Sequence, residues 1–85
     1  MRKLIFYEGE IHMLKVYLVY RMHTLCGEEY GPDLDRIFDS EKKAIDYIEN
    51  ELKGHGYHRD DYGIYEAEIN DYESISLSIE EMEVG

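Results

Sequence analysis

The sequence predicts an α+β fold in which a small antiparallel sheet carries one helix on one face, in the order β-β-α-β-β. Two observations support this prediction: one segment has apolar residues at helical spacing, and strand-like runs lie on both sides of it. A chain of 85 residues makes one small domain, and 44% hydrophobic residues suffice for a single core. Because one helix covers only one face of such a sheet, we expect the other face to be open to solvent or to a partner.

The first third of the chain predicts a central strand. Lys15–His23 (KVYLVYRMH) is rich in β-branched and aromatic residues, and both of its faces are fairly apolar. We expect Tyr17 and Val19 to lie on the face that the helix cannot cover, where they would form an apolar contact between two copies of the chain. Residues 24–35 contain two glycines and the only proline, which predicts a long loop or a wide hairpin connection before a short strand, Arg36–Asp39.

The helix is predicted from local signals. Asp39 and Ser40 are both good N-cap residues, and apolar side chains follow at helical spacing. Gly54 stands at the position after a helix end where glycine is common. These signals predict a helix over Glu41–Lys53. Its apolar stripe consists of Ala44, Ile45, Ile48 and Leu52, flanked by Tyr47.

Two alternating segments predict the last strands. Tyr62–Asn70 and Ser74–Val84 alternate between apolar and polar residues and are joined by a short turn. If the apolar residues of both strands face the helix, Glu66, Glu68 and Glu80 point outward together. We therefore expect an ordered row of carboxylates on the open face of the sheet.

Charge is distributed unevenly along the chain. Residues 60–85 hold nine Asp or Glu and no Lys or Arg, whereas residues 1–59 hold eleven acids and nine bases. A net charge of -11 disfavours direct binding to nucleic acid or to an anionic membrane, because both would repel the protein. No apolar run approaches the ~20 residues of a membrane span, and the N-terminus lacks a secretory signal pattern. Solubility alone would account for an even spread of acids better than for this concentration.

Reactive and metal-binding groups are few. Cys26 is the only cysteine, so we expect a cytoplasmic protein without an intramolecular disulfide, and its acidic neighbours disfavour a nucleophilic thiolate. The one cluster of metal-ligand types lies in a glycine-containing loop, and its HxxH spacing lacks the helical geometry of zinc hydrolases. We expect no cofactor, no metal and no enzymatic activity. The alternative is a small zinc enzyme built on His55, His58, Asp60 and Asp61.

The first twelve residues differ from the rest. A strand-like KLIFY precedes Glu8-Gly9-Glu10, which purine-rich ribosome-binding codons can encode, and Met13 lies a suitable distance downstream. Two interpretations follow. Residues 1–12 are either a translated leader before a single αβ domain, residues 13–85, or an ordinary N-terminal extension whose strand pairs with the sheet.

Three segments, KVYLVY, IFDSEKKAIDYIENEL and YGIYEAEIN, resemble small proteins of low-GC Gram-positive bacteria and their phages. In that type a strand ending in Phe-Asp-Ser leads into a helix rich in Glu, Lys and Ala, and a late strand carries alternating Glu. The resemblance covers residues 13–70 and implies a small αβ fold and a phage origin. Phage proteins of this size and acidity are frequently inhibitors that dock on a host protein. The matching motifs are structural, so no binding residue can be transferred.

The lead interpretation is a non-enzymatic inhibitor that occupies a basic, nucleic-acid-binding surface of a host protein, as a DNA mimic. The carboxylate row is sparser than duplex DNA, which carries one charge per ~1.7 Å of axis, yet it suits a groove lined by Lys and Arg. The partner would be a nucleoid protein, a polymerase or a nuclease. The alternative is a dimerisation or interaction module that uses the face of Tyr17 and Val19. The predicted partner-binding residues are Asp60, Asp61, Glu66, Glu68, Asp71, Glu73 and Glu80.

Overall fold

The structure, a computed structural model, describes residues 5–7, 10–12 and 14–84. Its strands are β1 (Ile5–Tyr7), β2 (Glu10–His12), β3 (Leu14–Leu25), β4 (Glu28–Phe38), β5 (His58–Arg59), β6 (Tyr65–Asn70) and β7 (Glu73–Val84), and its helix is α1 (Glu41–Glu51). Five strands form one antiparallel sheet in the order β4-β3-β7-β6-β5. The predicted α+β class, an antiparallel sheet with one helix, is confirmed, and the short strand β5 is added to the predicted order.

The N-terminal segment forms a separate pairing. In its described part, β1 pairs with β2 in a two-stranded sheet, and the five-stranded sheet is built from β3 to β7. Residues 1–4, 8, 9 and 13 lie outside the described residues. The interpretation of residues 1–12 as a leader therefore stays a prediction.

Strand β3 is an interior strand of the sheet, between β4 and β7, as its two apolar faces predict. It pairs with β7 along its whole length, from Leu14 opposite Val84 to Leu25 opposite Glu73. On its other side it pairs with β4, from Tyr17 onward. Its backbone is therefore hydrogen-bonded on both sides over most of its twelve residues.

Residues 24–35, predicted as a long loop or a wide hairpin connection, form a hairpin with a two-residue turn, which is tighter than either alternative. Cys26 and Gly27 have φ values of 54° and 83°, the left-handed values that tight hairpin turns require. The strands resume on either side of this turn, and β4 includes Gly31 and Pro32. Because β4 is an edge strand, a residue without an N–H is tolerated there. Glycine and proline therefore mark irregularities within a strand here, rather than a loop.

Helix α1 begins where the capping signals predict. Ser40 has an extended backbone, and its Oγ accepts a hydrogen bond from the Lys43 N–H at 3.2 Å. The helix ends at Glu51, two residues before the predicted end, with Leu52 as its C-cap. Gly54 follows in the left-handed region at φ 90°, so the chain turns away where the glycine predicts. No helix in the described part of the chain is long and apolar enough to span a membrane.

The core lies between α1 and one face of the sheet, and it contains Val19. The prediction that Tyr17 and Val19 lie on the uncovered face is therefore wrong: Val19 is fully buried against the helix, and Tyr17 packs against the same cluster. Alternation correctly separates the two faces of β3, but both are apolar, so the sequence cannot indicate which one the helix covers. The buried cluster consists of Val19, Ala44, Ile48, Leu52, Tyr65, Ala67 and Leu77.

The last two strands are close to their predicted positions. β6 begins at Tyr65 rather than Tyr62, because residues 60–64 form a tight turn held by the carboxylate of Asp60. The connection to β7 is the two-residue turn Asp71-Tyr72, and β7 starts at Glu73. Tyr65 and Ala67 are buried under the helix while Glu66 and Glu68 are exposed, as the alternation predicts.

Candidate functional site: the open face of the sheet

The face of the sheet opposite α1, called here the open face, carries the carboxylates that the sequence predicts. Glu66 pairs with Ser76 and Glu68 with Ser74, and Glu80 lies on the same side of β7 as those serines. All three glutamates are exposed. The expectation that Glu66, Glu68 and Glu80 share one outward face is thus met by the strand register.

These three glutamates form a pair and a separate single residue rather than one continuous row. Glu66 and Glu68 stand two residues apart on β6, about 6.8 Å along the strand. Glu80 lies four residues along β7 from Ser76, the partner of Glu66, which places it roughly 14 Å farther along the sheet. The negative charge is therefore spread along the face at intervals much wider than those of DNA phosphates.

An apolar patch surrounds Glu80 on the same face. Glu80 is opposite Leu18, which is opposite Ile37 on the next strand, and Met82 follows Glu80 on the same side of β7. Ile37 is 57% exposed, whereas Leu18 is only 6% exposed. The apolar patch is made of Leu14, Leu18, Leu34, Ile37 and Met82. Contiguous exposed apolar residues beside acids are typical of surfaces that contact other proteins.

The open face differs from the helix side in its ion pairs. On the helix side, Lys15 lies 3.7 Å from Glu81, and Lys43 lies 2.9 Å from Asp39. The Lys43 hydrogen bond holds the pKa of Asp39 below its usual range. Within residues 14–84, no Lys, Arg or His lies in salt-bridge range of Glu66, Glu68 or Glu80. The two faces therefore differ in ion pairing, although the acidic last third contributes glutamates to both: Glu73, Glu81 and Glu83 lie on the helix side.

Two of the predicted partner-binding residues serve the fold itself. Asp60 Oδ1 accepts hydrogen bonds from the backbone N–H groups of Tyr62 at 2.8 Å and Ile64 at 2.9 Å, which closes the turn before β6. Glu73 lies 2.5 Å from His23 and points to the helix side of the sheet. Asp61 and Asp71 are exposed in turns. The structure therefore brings Glu66, Glu68 and Glu80 to one face, and it places Asp71 and Glu73 with Glu68 around a surface cavity at the turn between β6 and β7.

A polar network that the sequence does not reveal joins β3, β4 and α1. Asp35 Oδ2 accepts hydrogen bonds from Tyr47 Oη at 2.7 Å and from Arg21 Nη2 at 3.1 Å, and Arg21 also pairs with Glu51. Burial alone would lower the pKa of Arg21, but its hydrogen bonds to Glu51 and Asp35 raise it above the usual value. Asp35 reaches this site because it is the extra residue in a register shift, and no local sequence signal marks it.

The alternative of a zinc enzyme has no geometric basis in the described residues. His55, His58, Asp60 and Asp61 are all described, yet no group of three or more His, Cys, Asp or Glu side chains among residues 14–84 is placed to hold a metal ion. His58 pairs across the strands with Glu66, while Asp60 is turned into its own loop. Cys26 is exposed in the hairpin turn.

Comparison of the chain with protein-family models, with curated proteins and with solved structures finds no match in any of the three.

Proposed function

We propose that this protein is a non-enzymatic binding protein whose open face docks on a basic, nucleic-acid-binding surface of another protein and competes with nucleic acid for it. The partner is a nucleoid protein, a polymerase or a nuclease, and the protein acts as its inhibitor. One observation carries this proposal: the open face combines glutamates that pair with no cation of residues 14–84 with exposed apolar side chains. Acids that served solubility alone would not need an apolar neighbourhood.

The proposed interface has two parts with different roles. Glu66, Glu68 and Glu80 supply long-range attraction to Lys and Arg, which speeds association and weakens as salt rises. Ile37 and Met82, exposed by 57% and 45%, supply apolar contact area once the proteins meet. A DNA-binding groove offers Lys and Arg side chains to the glutamates. A partner whose groove also has an apolar rim would contact the exposed apolar side chains.

The test uses three substitutions at the site and three matched ones elsewhere. The variant Glu66→Gln, Glu68→Gln, Glu80→Gln removes three negative charges from the open face. The control removes three from the helix side, through Glu28→Gln, Asp33→Asn and Glu49→Gln, all of which are exposed. Each protein is immobilised, partners are captured from host lysate at low salt and identified by mass spectrometry, and duplex DNA is then added as a competitor.

The open-face variant is expected to lose capture of basic nucleic-acid-binding proteins, mainly through slower association, while the control keeps it. Added duplex DNA is expected to release the captured partner from the immobilised protein. Equal capture by both variants, or simultaneous binding of DNA, would refute the proposal.

A second candidate function, a dimerisation module, is favoured by the apolar patch. The predicted contact through Tyr17 and Val19 cannot serve it, because Val19 is buried in the core. Leu34 and Ile37, about half exposed at 51% and 57%, would replace them. Light scattering at high micromolar concentration tests this candidate: a dimer that Ile37→Ser converts to a monomer supports it, and a monomeric parent protein excludes it.

A further inference from the structure

Among the described strands, none pairs with one backbone edge of β7 along its second half. β6 pairs with β7 only as far as Tyr65 opposite Leu77, although β7 continues to Val84. Ser78–Val84 pairs with β3 on one side, and no described strand pairs with its other side. Such an edge presents N–H and C=O groups that can hydrogen-bond to an added strand.

This edge lacks the features that protect the opposite edge of the sheet. β4 carries Pro32 and two register shifts, and both proline and bulges hinder pairing with another chain. The ladder between β7 and β3 has no register shift, and Ser78–Val84 contains neither proline nor lysine. The second half of β7 is therefore the regular edge of this sheet.

A cavity of about 200 Å³ lies beside this edge on the helix side, and its walls include Ile79 from the unpaired segment. Ile45 of the helix and Tyr65 of β6 form other apolar walls, and Tyr62, which is 90% exposed, also lines the cavity. Side chains alternate across a strand, so every second residue of an added strand would point toward this cavity. The site offers both backbone partners and a place for apolar side chains.

The negative charge beside this edge indicates which kind of segment can pair with it. The unpaired segment carries three glutamates, and a fourth lines the cavity. The nearby cations are already engaged: Lys15 lies 3.7 Å from Glu81, and the Arg59 guanidinium lies 5.8 Å from the centre of the Tyr65 ring. A second copy paired along the same edge would set its own glutamates against these, which is destabilising. The four glutamates are Glu41, Glu80, Glu81 and Glu83.

We propose that Ser78–Val84 accepts an extended basic segment of a partner protein as an added β-strand. Alternate apolar side chains of that segment enter the cavity beside Tyr62 and Ile79, and its Lys or Arg side chains lie near the glutamates of β7. This strand edge is a different surface from the Glu66–Glu68 pair on β6. Glu80 and Met82 belong to both surfaces, so the inference is separated from the proposed function by its requirement for backbone pairing along Ser78–Val84, which binding through Glu66 and Glu68 does not need.

The probe is a synthetic peptide of alternating lysine and valine that is long enough to span the unpaired segment. Amide hydrogen exchange by NMR is expected to show new protection within Ser78–Val84 when the peptide is added. Two analogues of the same sequence are also prepared, each N-methylated at alternate residues along one of its two edges. Each analogue lacks the N–H donors for strand hydrogen bonds on its methylated edge. The analogue methylated on the pairing edge is expected to bind about tenfold more weakly, since several hydrogen bonds are lost.

Two exposed tyrosines provide matched variants of the protein. Tyr62 and Tyr72 each lie in a turn in which an Asp or Asn side chain two residues earlier accepts from the tyrosine N–H, at 2.8 Å in both cases. Tyr62 lines the cavity, whereas Tyr72 precedes β7 at its opposite end. Tyr62→Ala is expected to weaken peptide binding about fivefold, as for an aromatic contact residue, and Tyr72→Ala is expected to leave it unchanged.

Three results would overturn the inference. The first is no binding of the peptide at low salt. The second is binding that both methylated analogues retain and that perturbs Glu66 and Glu68 alone, which would leave the open face as the binding surface. The third is protection of Ser78–Val84 without peptide that grows with protein concentration, which would assign the edge to a second copy.

Discussion

Asp35 shows how one residue outside the regular strand pattern ties the sheet to the helix. Arg36 is opposite Val19 and Leu34 is opposite Tyr20, so Asp35 has no partner of its own in the ladder. The extra residue turns its carboxylate toward the helix side, where it accepts from Tyr47 at 2.7 Å. A bulge of this kind re-aims a side chain that regular alternation would place elsewhere.

Replacement of Asp35 by Asn is expected to lower the free energy of unfolding by about 1–3 kcal/mol, because Arg21 loses one of its two charged partners in a half-buried site. The control is Asp46→Asn, which breaks the exposed pair between Lys42 and Asp46 on the helix surface. That change is expected to cost much less, since exposed pairs are screened by water. Urea unfolding of both variants checks the difference. Equal losses would mean that the Asp35 network adds nothing beyond an ordinary surface pair.

The raised pKa of Tyr47 predicts that the protein loses stability at alkaline pH. Burial, and then its hydrogen bond to Asp35, raise the pKa of Tyr47 above the ordinary value for tyrosine. The folded state thus holds the phenol proton more tightly than the unfolded state. This contribution is fully present below about pH 10 and is lost as the pH rises through the folded-state pKa. Unfolding measured across this range should show a shallower alkaline decline in Tyr47→Phe. An unchanged decline would contradict the linkage.

At the scale of elements, the start of α1 depends on one side chain. Ser40 Oγ accepts from the Lys43 N–H, so Ser40→Ala leaves a first-turn donor without its partner. The expected cost is about 1 kcal/mol of unfolding free energy. Ser40→Asp is the control, because its carboxylate can cap the same N–H and suits the positive end of the helix. If both variants are destabilised alike, the cap is not the source of the effect.

The hairpin turn between β3 and β4 predicts one destabilising and one stabilising substitution. Cys26 adopts φ 54° and Gly27 adopts φ 83°, and nothing lies within 4 Å of a Cβ placed on Gly27. Gly27→Ala is therefore expected to cost roughly 1 kcal/mol through backbone strain alone. Cys26→Asn is expected to stabilise the protein, since asparagine suits the first left-handed position of such a turn. Thermal unfolding of both variants checks the signs, and a loss in both would contradict the turn assignment.

The elements that sequence predicts well are those with local determinants. Ser40, the apolar spacing of α1 and Gly54 fix the helix within a short stretch of chain, so its start is correct and its end differs by two residues. Only the end of β4 is predicted, as the short strand Arg36–Asp39, because the irregularities Gly31 and Pro32 are tolerated only where a strand has one neighbour. That condition depends on the sheet order, which no local pattern encodes.

At the scale of the whole molecule, the sequence predicts some positions of the candidate site and not others. The alternation of β6 and β7 correctly predicts the outward positions of Glu66, Glu68 and Glu80. It cannot show that Asp60 closes a turn or that Glu73 contacts His23, fifty residues away in the chain. The prediction that the helix leaves the Tyr17 and Val19 side of β3 uncovered is also wrong. Both choices depend on long-range packing, which a period of two residues does not contain.

The last prediction concerns the cost of concentrating acids on one face. With a net charge of -11 and no cation of residues 14–84 in salt-bridge range of Glu66 or Glu68, these neighbouring carboxylates repel each other in the folded state. The variant Glu66→Gln, Glu68→Gln should therefore be more stable than the parent protein at low salt. The difference should shrink as salt rises, because the Debye length falls from about 30 Å at 0.01 M to about 3 Å at 1 M.

Urea unfolding at several salt concentrations checks this prediction, with Glu28→Gln, Glu49→Gln as a control of equal charge change on the helix side. Those two residues lie on different elements, so the control should gain less stability at low salt. A gain confined to the open-face variant means that the fold carries an electrostatic cost at that face, as expected of a surface kept for binding. If instead both variants gain equally, only the total charge matters, and the acidity of the open face serves solubility.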